Sequence, residues 1–213
     1  ADLKGLQFPA VVVAHGISES AQILSGFGLE LCRAGFVVLC LDLPGHGASD
    51  GSINQGHQDP ALGVDYVVNY LGNLSFVDST QIGLVVHSLG AGAIRAANIK
   101  LSNVQASVLI GGGIGSAAID LEYGSLNATY PKNVLVIVGE YDVLFDISTL
   151  AGKDLLDLFN TTELIQPEVL YGDFNSQTAR KLIIPKTTHL FESLDPTAIN
   201  QTTEWMQQTL KTT

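Results

Sequence analysis

Six short runs of mostly apolar residues, each stopped by a turn, limit what this chain can become. They are Phe8 to Ala14, Phe36 to Leu41, Gln81 to His87, Ala106 to Ile110, Val134 to Gly139 and Leu182 to Ile184. A strand with one face in water alternates polar and apolar residues. These runs do not alternate, so both of their faces are expected to be buried. Segments with helical spacing separate most of them: 21–34, 59–71, 89–99, about 148–159 and 196–210. In the first, Ile23, Leu24, Phe27 and Leu31 share one face, and Gly35 supplies a C-terminal cap. Residues 43–56 read as a Gly/Pro/Ser-rich loop, and 160–180 is a polar stretch without clear periodicity. The expected fold class is α/β: about six mostly parallel strands, helices on both faces, and a single domain over 1–213. In such sheets the reactive groups gather in loops beyond the carboxyl ends of the strands.

Composition narrows the partners. The chain has 213 residues, enough for a large core without a disulfide or metal staple. Lys and Arg number 10 against 21 Asp and Glu, a net charge of −11. No basic stripe exists to neutralise phosphates, so nucleic acid is excluded as an expected partner. Cys32 and Cys40 fit no zinc or redox spacing and are expected to be buried as small hydrophobes. No apolar run is long enough to span a membrane. The first residue is Ala1 and not Met, so the chain is expected to be processed, trimmed or an excerpt of something longer. A cytoplasmic protein is the default expectation, and a soluble domain cut from a longer, anchored or exported chain is the alternative.

The sharpest motif is Val85-Val86-His87-Ser88-Leu89-Gly90-Ala91-Gly92, where a strand runs into a small-residue helix. A serine on that turn is strained and projects above the sheet. The N–H of Leu89 is then free to face a developing oxyanion. A serine hydroxyl needs a base, and the base needs an acid to orient it. Two later strand ends offer both: Gly139-Glu140-Tyr141-Asp142, and Pro185-Lys186-Thr187-Thr188-His189. Glu140 and Asp146 compete with Asp142, with Asp120 further off, and His46 and His57 compete with His189. The loop after the first strand, His15-Gly16-Ile17-Ser18, supplies the second oxyanion donor. That donor is the N–H of Ile17, or less favourably of Ser18. His15 is expected to brace this loop, Asp42 to hold the 42–49 turn through backbone hydrogen bonds, and His87 to point beneath the turn. Gly111-Gly112-Gly113-Ile114-Gly115 lacks the Lys-Ser/Thr of a phosphate loop, and no cluster has metal-ligand spacing. No cofactor and no metal are expected.

With these pieces the chain resembles an alpha/beta-hydrolase over about residues 8–210. The resemblance rests on His15-Gly16, Asp42-Leu43-Pro44-Gly45-His46-Gly47-Ala48-Ser49, His87-Ser88-Leu89-Gly90, Gly139-Glu140-Tyr141-Asp142 and His189. It implies Ser88 as nucleophile, Asp142 as acid, His189 as general base, and Ile17 and Leu89 as oxyanion donors. It also implies a small-molecule acyl substrate, an ester or thioester, cleaved without a cofactor.

Two departures stand out. The elbow motif is usually G-x-S-x-G, and here Val86 holds its first position. A β-branched residue there crowds the strand–helix contact and keeps a non-catalytic binding domain in view. A triad acting on amide, peptide or C–C bonds is the other alternative. The second departure is economy. The span from Ile110 to Val134 is too short for a large helical lid, so a minimal fold with a shallow, open site is expected.

Overall fold

The computed structural model describes residues 5–52, 61–90, 94, 101–112, 127, 129–145 and 153–210. Among these, seven strands form one sheet: β1 (Phe8–Ala14), β2 (Val37–Leu41), β3 (Val77–His87), β4 (Val104–Ile110), β5 (Val134–Ile137), β6 (Leu170–Tyr171) and β7 (Arg180–Ile183). Their order is β2-β1-β3-β4-β5-β7-β6. Every pairing is parallel except β6 with β7. The helices are α1 (Ser25–Arg33), α2 (Val64–Gly72), α3 (Lys153–Phe159) and α4 (Pro196–Thr209).

The unbroken apolar runs become the central strands because both sheet faces are covered. Along β1, Ala10, Val12 and Ala14 join one core with Val64, Val68 and Leu71 of α2. The intervening Val11 and Val13 join the other, with Phe27 and Leu31 of α1 and Trp205 and Met206 of α4. A Cβ on Gly83 of β3 would meet Met206 Sδ at 2.6 Å, so the glycine lets α4 lie close on the sheet. Asp195 caps α4 by accepting from the N–H groups of Thr197 (2.8 Å) and Ala198 (3.0 Å), and Pro196 takes the first helical position.

The structure corrects several expectations. The described residues form seven strands, one more than the six apolar runs. The extra one, β6, is a two-residue edge strand inside the polar 160–180 stretch. Helix α1 starts at Ser25 instead of 21, because the N–H of Ala21 donates to Asp42 Oδ1 (2.7 Å) and the chain turns there. Cys32 is exposed and Cys40 only partly buried. The buried face of α1 carries Phe27, Gly28 and Leu31. β7 begins at Arg180, whose buried guanidinium donates to the carbonyls of Leu158 (3.1 Å) and Pro131 (2.5 Å). Burial lowers that guanidinium to about 10. Most of the helix expected over 89–99 lies outside the described residues. Its described opening, Ser88–Gly90, is 3₁₀ and Ile94 is helical. Only residues 111–133 join β4 to β5, which leaves no length for a large cap.

Candidate active site

Strand β3 ends at His87, and the chain turns at Ser88 with φ 49°, a left-handed conformation costly for a residue with a Cβ. The turn aims the side chain out of the sheet edge. Ser88 Oγ donates to His189 Nε2 at 2.9 Å, and His189 Nδ1 donates to Asp142 Oδ2 at 2.8 Å. The three residues are 101 and 47 positions apart in these pairings, and the parallel sheet brings them to one edge. Asp142 Oδ1 accepts from the N–H groups of Leu144 (2.7 Å) and Phe145 (3.0 Å). Burial opposes its charge, but those N–H groups and the His189 ring outweigh burial and hold the carboxyl below its ordinary range. The Phe145 ring lies 5.5 Å from that of His189.

Val86 takes the first elbow position and is buried beneath the turn. A Cβ on Gly90 would meet Val86 Cβ at 2.9 Å, so Gly90 leaves the room that Val86 fills. The Gly16 backbone abuts the Ser88 turn, where an added Cβ would meet Ser88 Cβ at 3.0 Å. Ile17 follows it, exposed, and its N–H makes no hydrogen bond among the described residues. The Leu89 N–H lies in the first turn of the 3₁₀ segment, where no intrahelical acceptor exists.

The loops are braced. His15 Nδ1 donates to Gly16 O (2.6 Å), and its Nε2 accepts from Leu43 N (3.0 Å). The ring is thus neutral, consistent with burial lowering its proton affinity. Asp42 accepts from Ala21 N and from Ala48 N (2.9 Å), and these bonds hold its carboxyl below the ordinary range. Of the competing residues, Glu140 is exposed and donates its N–H to Pro185 O. The His46 ring is tilted 59° against that of His15 with centroids 5.0 Å apart, and its Nδ1 faces Pro44 O at 3.1 Å. Asp120, Asp146 and His57 lie outside the described residues, as does the glycine run after Gly112.

Sequence reasoning missed a second set of charged groups. Glu19 Oε2 accepts from Gly16 N (2.6 Å) and from His87 Nδ1 (2.8 Å), and Glu19 Oε1 accepts from the Ser193 hydroxyl (2.8 Å). His87 Nε2 faces the carbonyl oxygen of His189 at 3.2 Å and Glu192 Oε2 at 3.4 Å. Both ring nitrogens thus meet acceptors, so both carry protons and the ring is charged. Burial opposes that charge, yet Glu19 and Glu192 raise the ring to about 9, and Glu19 is in turn lowered to about 2. Glu192, fully buried, accepts from Gly139 N through Oε1 (2.5 Å). Its Oε2 makes no well-formed hydrogen bond, but it pairs with the charged His87 ring at 3.4 Å and lies 3.7 Å from His189 Nδ1. Glu19 and Glu192 are three residues beyond Gly16 and His189, and no local spacing distinguishes them from solvated acids.

His87, His189 and Glu192 offer ligand atoms within 4.8 Å of one another. His189 Nδ1 carries the proton it gives Asp142, so it has no lone pair for a metal. An open depression of about 610 Å³ lies beside the site, lined by Ser18, Glu19, Ser20, Gln22, Ile23 and Leu190.

A profile of the "Alpha/beta hydrolase family" matches residues 11–211. A curated relative, the uncharacterised protein YcjY of Escherichia coli (strain K12), is 32% identical over 116 residues. That match covers 49% of this chain and 37% of YcjY, so the chain spans little more than a third of that relative. Among solved structures, the Pyrococcus furiosus esterase Pf2001 superposes with a TM-score of 0.70 at 16% identity, covering 96% of this chain and 85% of the esterase. A predicted CIB-like hydrolase from Thermoplasma acidophilum superposes with a TM-score of 0.62 at 16% identity, covering 93% and 86%. At these identities the two structures speak for the fold.

Proposed function

The chain belongs to the alpha/beta hydrolase family, and from that premise we propose that it is a serine hydrolase cleaving carboxylic esters or thioesters through an acyl-enzyme on Ser88. The observation that carries the reading is the line Ser88–His189–Asp142, with contacts of 2.9 and 2.8 Å. His189 Nε2 takes the hydroxyl proton as Ser88 Oγ attacks the acyl carbon. The N–H groups of Ile17 and Leu89 receive the oxyanion. The imidazolium, oriented and stabilised by Asp142, gives its proton to the leaving group. Water then enters, His189 takes its proton, and the acyl-enzyme is hydrolysed. The exposed side chains of Ile17, Leu190 and Phe191 beside these loops suit an apolar acyl group presented at an open site.

The test is labelling with a small and a bulky fluorophosphonate, read by intact mass and peptide mapping. One adduct on Ser88, absent in Ser88→Ala and suppressed in His189→Ala, is the expected result. No adduct from either probe on folded protein would turn the reading to a non-catalytic binding domain, with Val86 the first position to examine.

A further inference from the structure

Glu192 has no part in the mechanism above, yet it is a costly carboxylate to keep. It is fully buried, and one of its oxygens makes no well-formed hydrogen bond, meeting only the His87 ring at 3.4 Å. Such a group is expensive unless it serves something other than packing. The backbone is also shaped around it. A Cβ on Gly111 would fall 1.8 Å from Glu192 Oε2, and one on Gly139 would fall 3.1 Å from Oε1.

That oxygen sits between the two imidazoles, 3.4 Å from His87 Nε2 and 3.7 Å from His189 Nδ1. His87 is already matched by Glu19, its partner at 2.8 Å. Asp142 and Glu192 face His189 from the β5 loop and from its own 3₁₀ turn, opposite the charged His87 ring 4.9 Å away, with Ser88 and Phe145 as its other neighbours. While His189 is neutral the cluster carries excess negative charge. When the ring takes a proton the excess falls. The charge that develops in acyl transfer is the charge this cluster is built to receive.

We propose that Glu192 is a positioning residue, a second carboxylate for His189 that shares with Asp142 the stabilisation of the protonated ring and is held in place by Gly139, His87 and Glu19. The role of the protonated ring rests on the serine-hydrolase reading; the coupling between Glu192 and His189 does not. Burial and the nearby charge of Asp142 raise the proton affinity of Glu192, against the pull of His87 and the Gly139 N–H. Its protonation is therefore tied to that of its neighbours.

Glu192→Gln tests this, because the amide keeps an acceptor for Gly139 and removes the charge. The first readout is the ring nitrogen NMR signals of His189 and His87, followed from pH 4 to pH 9 in wild type and variant. The midpoint of the His189 signals should move down by about one pH unit. The second is the pH profile of kcat/KM on p-nitrophenyl acetate. Its acid limb should move the same way, with kcat down about tenfold and KM nearly unchanged. Glu192→Asp keeps the charge but withdraws it by one methylene, and should show about half the shift. If Glu192→Gln fails to fold, Glu192→Asp carries the test alone. A His189 midpoint that stays in place in the folded variant overturns the proposal. The NMR readout needs no turnover, so a protein without esterase activity would sink the serine-hydrolase reading and leave this result standing.

Discussion

Val86 and Gly90 share one space: a Cβ on Gly90 would come within 2.9 Å of Val86 Cβ. The valine that departs from the elbow pattern is accommodated by the glycine four residues later. Gly90→Ala should therefore cost about 1–3 kcal/mol by overpacking. Val86→Ala/Gly90→Ala should recover much of that loss. Urea denaturation of the two single variants and the double checks it through a double-mutant cycle. Additive costs would show that the two positions do not compete for space.

Ser88 holds φ 49°, so strain is stored at the proposed nucleophile. At an ordinary position Gly is less stable than Ala, because it frees the unfolded chain. Here the ranking should reverse: Ser88→Gly should match or exceed Ser88→Ala by up to about 1 kcal/mol. Both should lose at least about a thousandfold in kcat. Thermal melts and ester hydrolysis measure the two effects. An Ala variant clearly more stable than the Gly variant would remove the strained-turn account.

The Glu19–His87 pair gives stability a defined pH window. Glu19 is lowered from 4.5 to about 2 in the fold, so its contribution is present above pH 4.5 and lost as pH falls toward 2. His87 is raised from 6.5 to about 9, so its contribution is full below pH 6.5 and lost as pH rises through 9. Both are full only between pH 4.5 and 6.5. Urea midpoints should peak there, and Glu19→Gln should cost about 3 kcal/mol at pH 5.5. A wild-type stability that climbs steadily from pH 6.5 to pH 9 would contradict a charged His87.

Ile17 acts through its backbone in the proposed mechanism, and its side chain is exposed. Ile17→Ala should leave kcat within about threefold, whereas Ile17→Pro, which removes the N–H, should cost about a hundredfold or more. Steady-state kinetics on a short-chain ester separate them. Equal losses in both variants would assign the effect to loop packing instead.

What could be read in the sequence follows from where the physics is local. β1 and the carboxyl halves of β3 and β4 announce themselves because burial on both faces favours apolar residues, whereas Asp78 to Gln81 at the start of β3 are polar and partly or fully exposed. β6 does not, since Leu170 is exposed and the strand is a two-residue edge. The start of β7 was hidden because Arg180 reads as a surface residue until its guanidinium is seen among carbonyls. Ser88, Asp142 and His189 could be picked out because each follows a strand, and strand ends converge in a parallel sheet. Glu19, His87, Glu192 and Ser193 could not. Their pairings join residues 68 to 174 positions apart, and an acid three residues past a loop glycine carries no local mark.

The charged strut from Glu19 through His87 to Glu192 joins the loop after β1, the end of β3 and the turn before α4. During synthesis from the amino end, Ser88 leaves the ribosome long before His189 and Glu192. Until that last turn docks, Glu19 and His87 lack their partners at Ser193, His189 and Glu192, and Ser88 lacks the imidazole proposed as its base. On the serine-hydrolase proposal, the nascent chain is thus chemically silent until the segment beyond the last strand, Arg180–Ile183, closes onto the sheet edge.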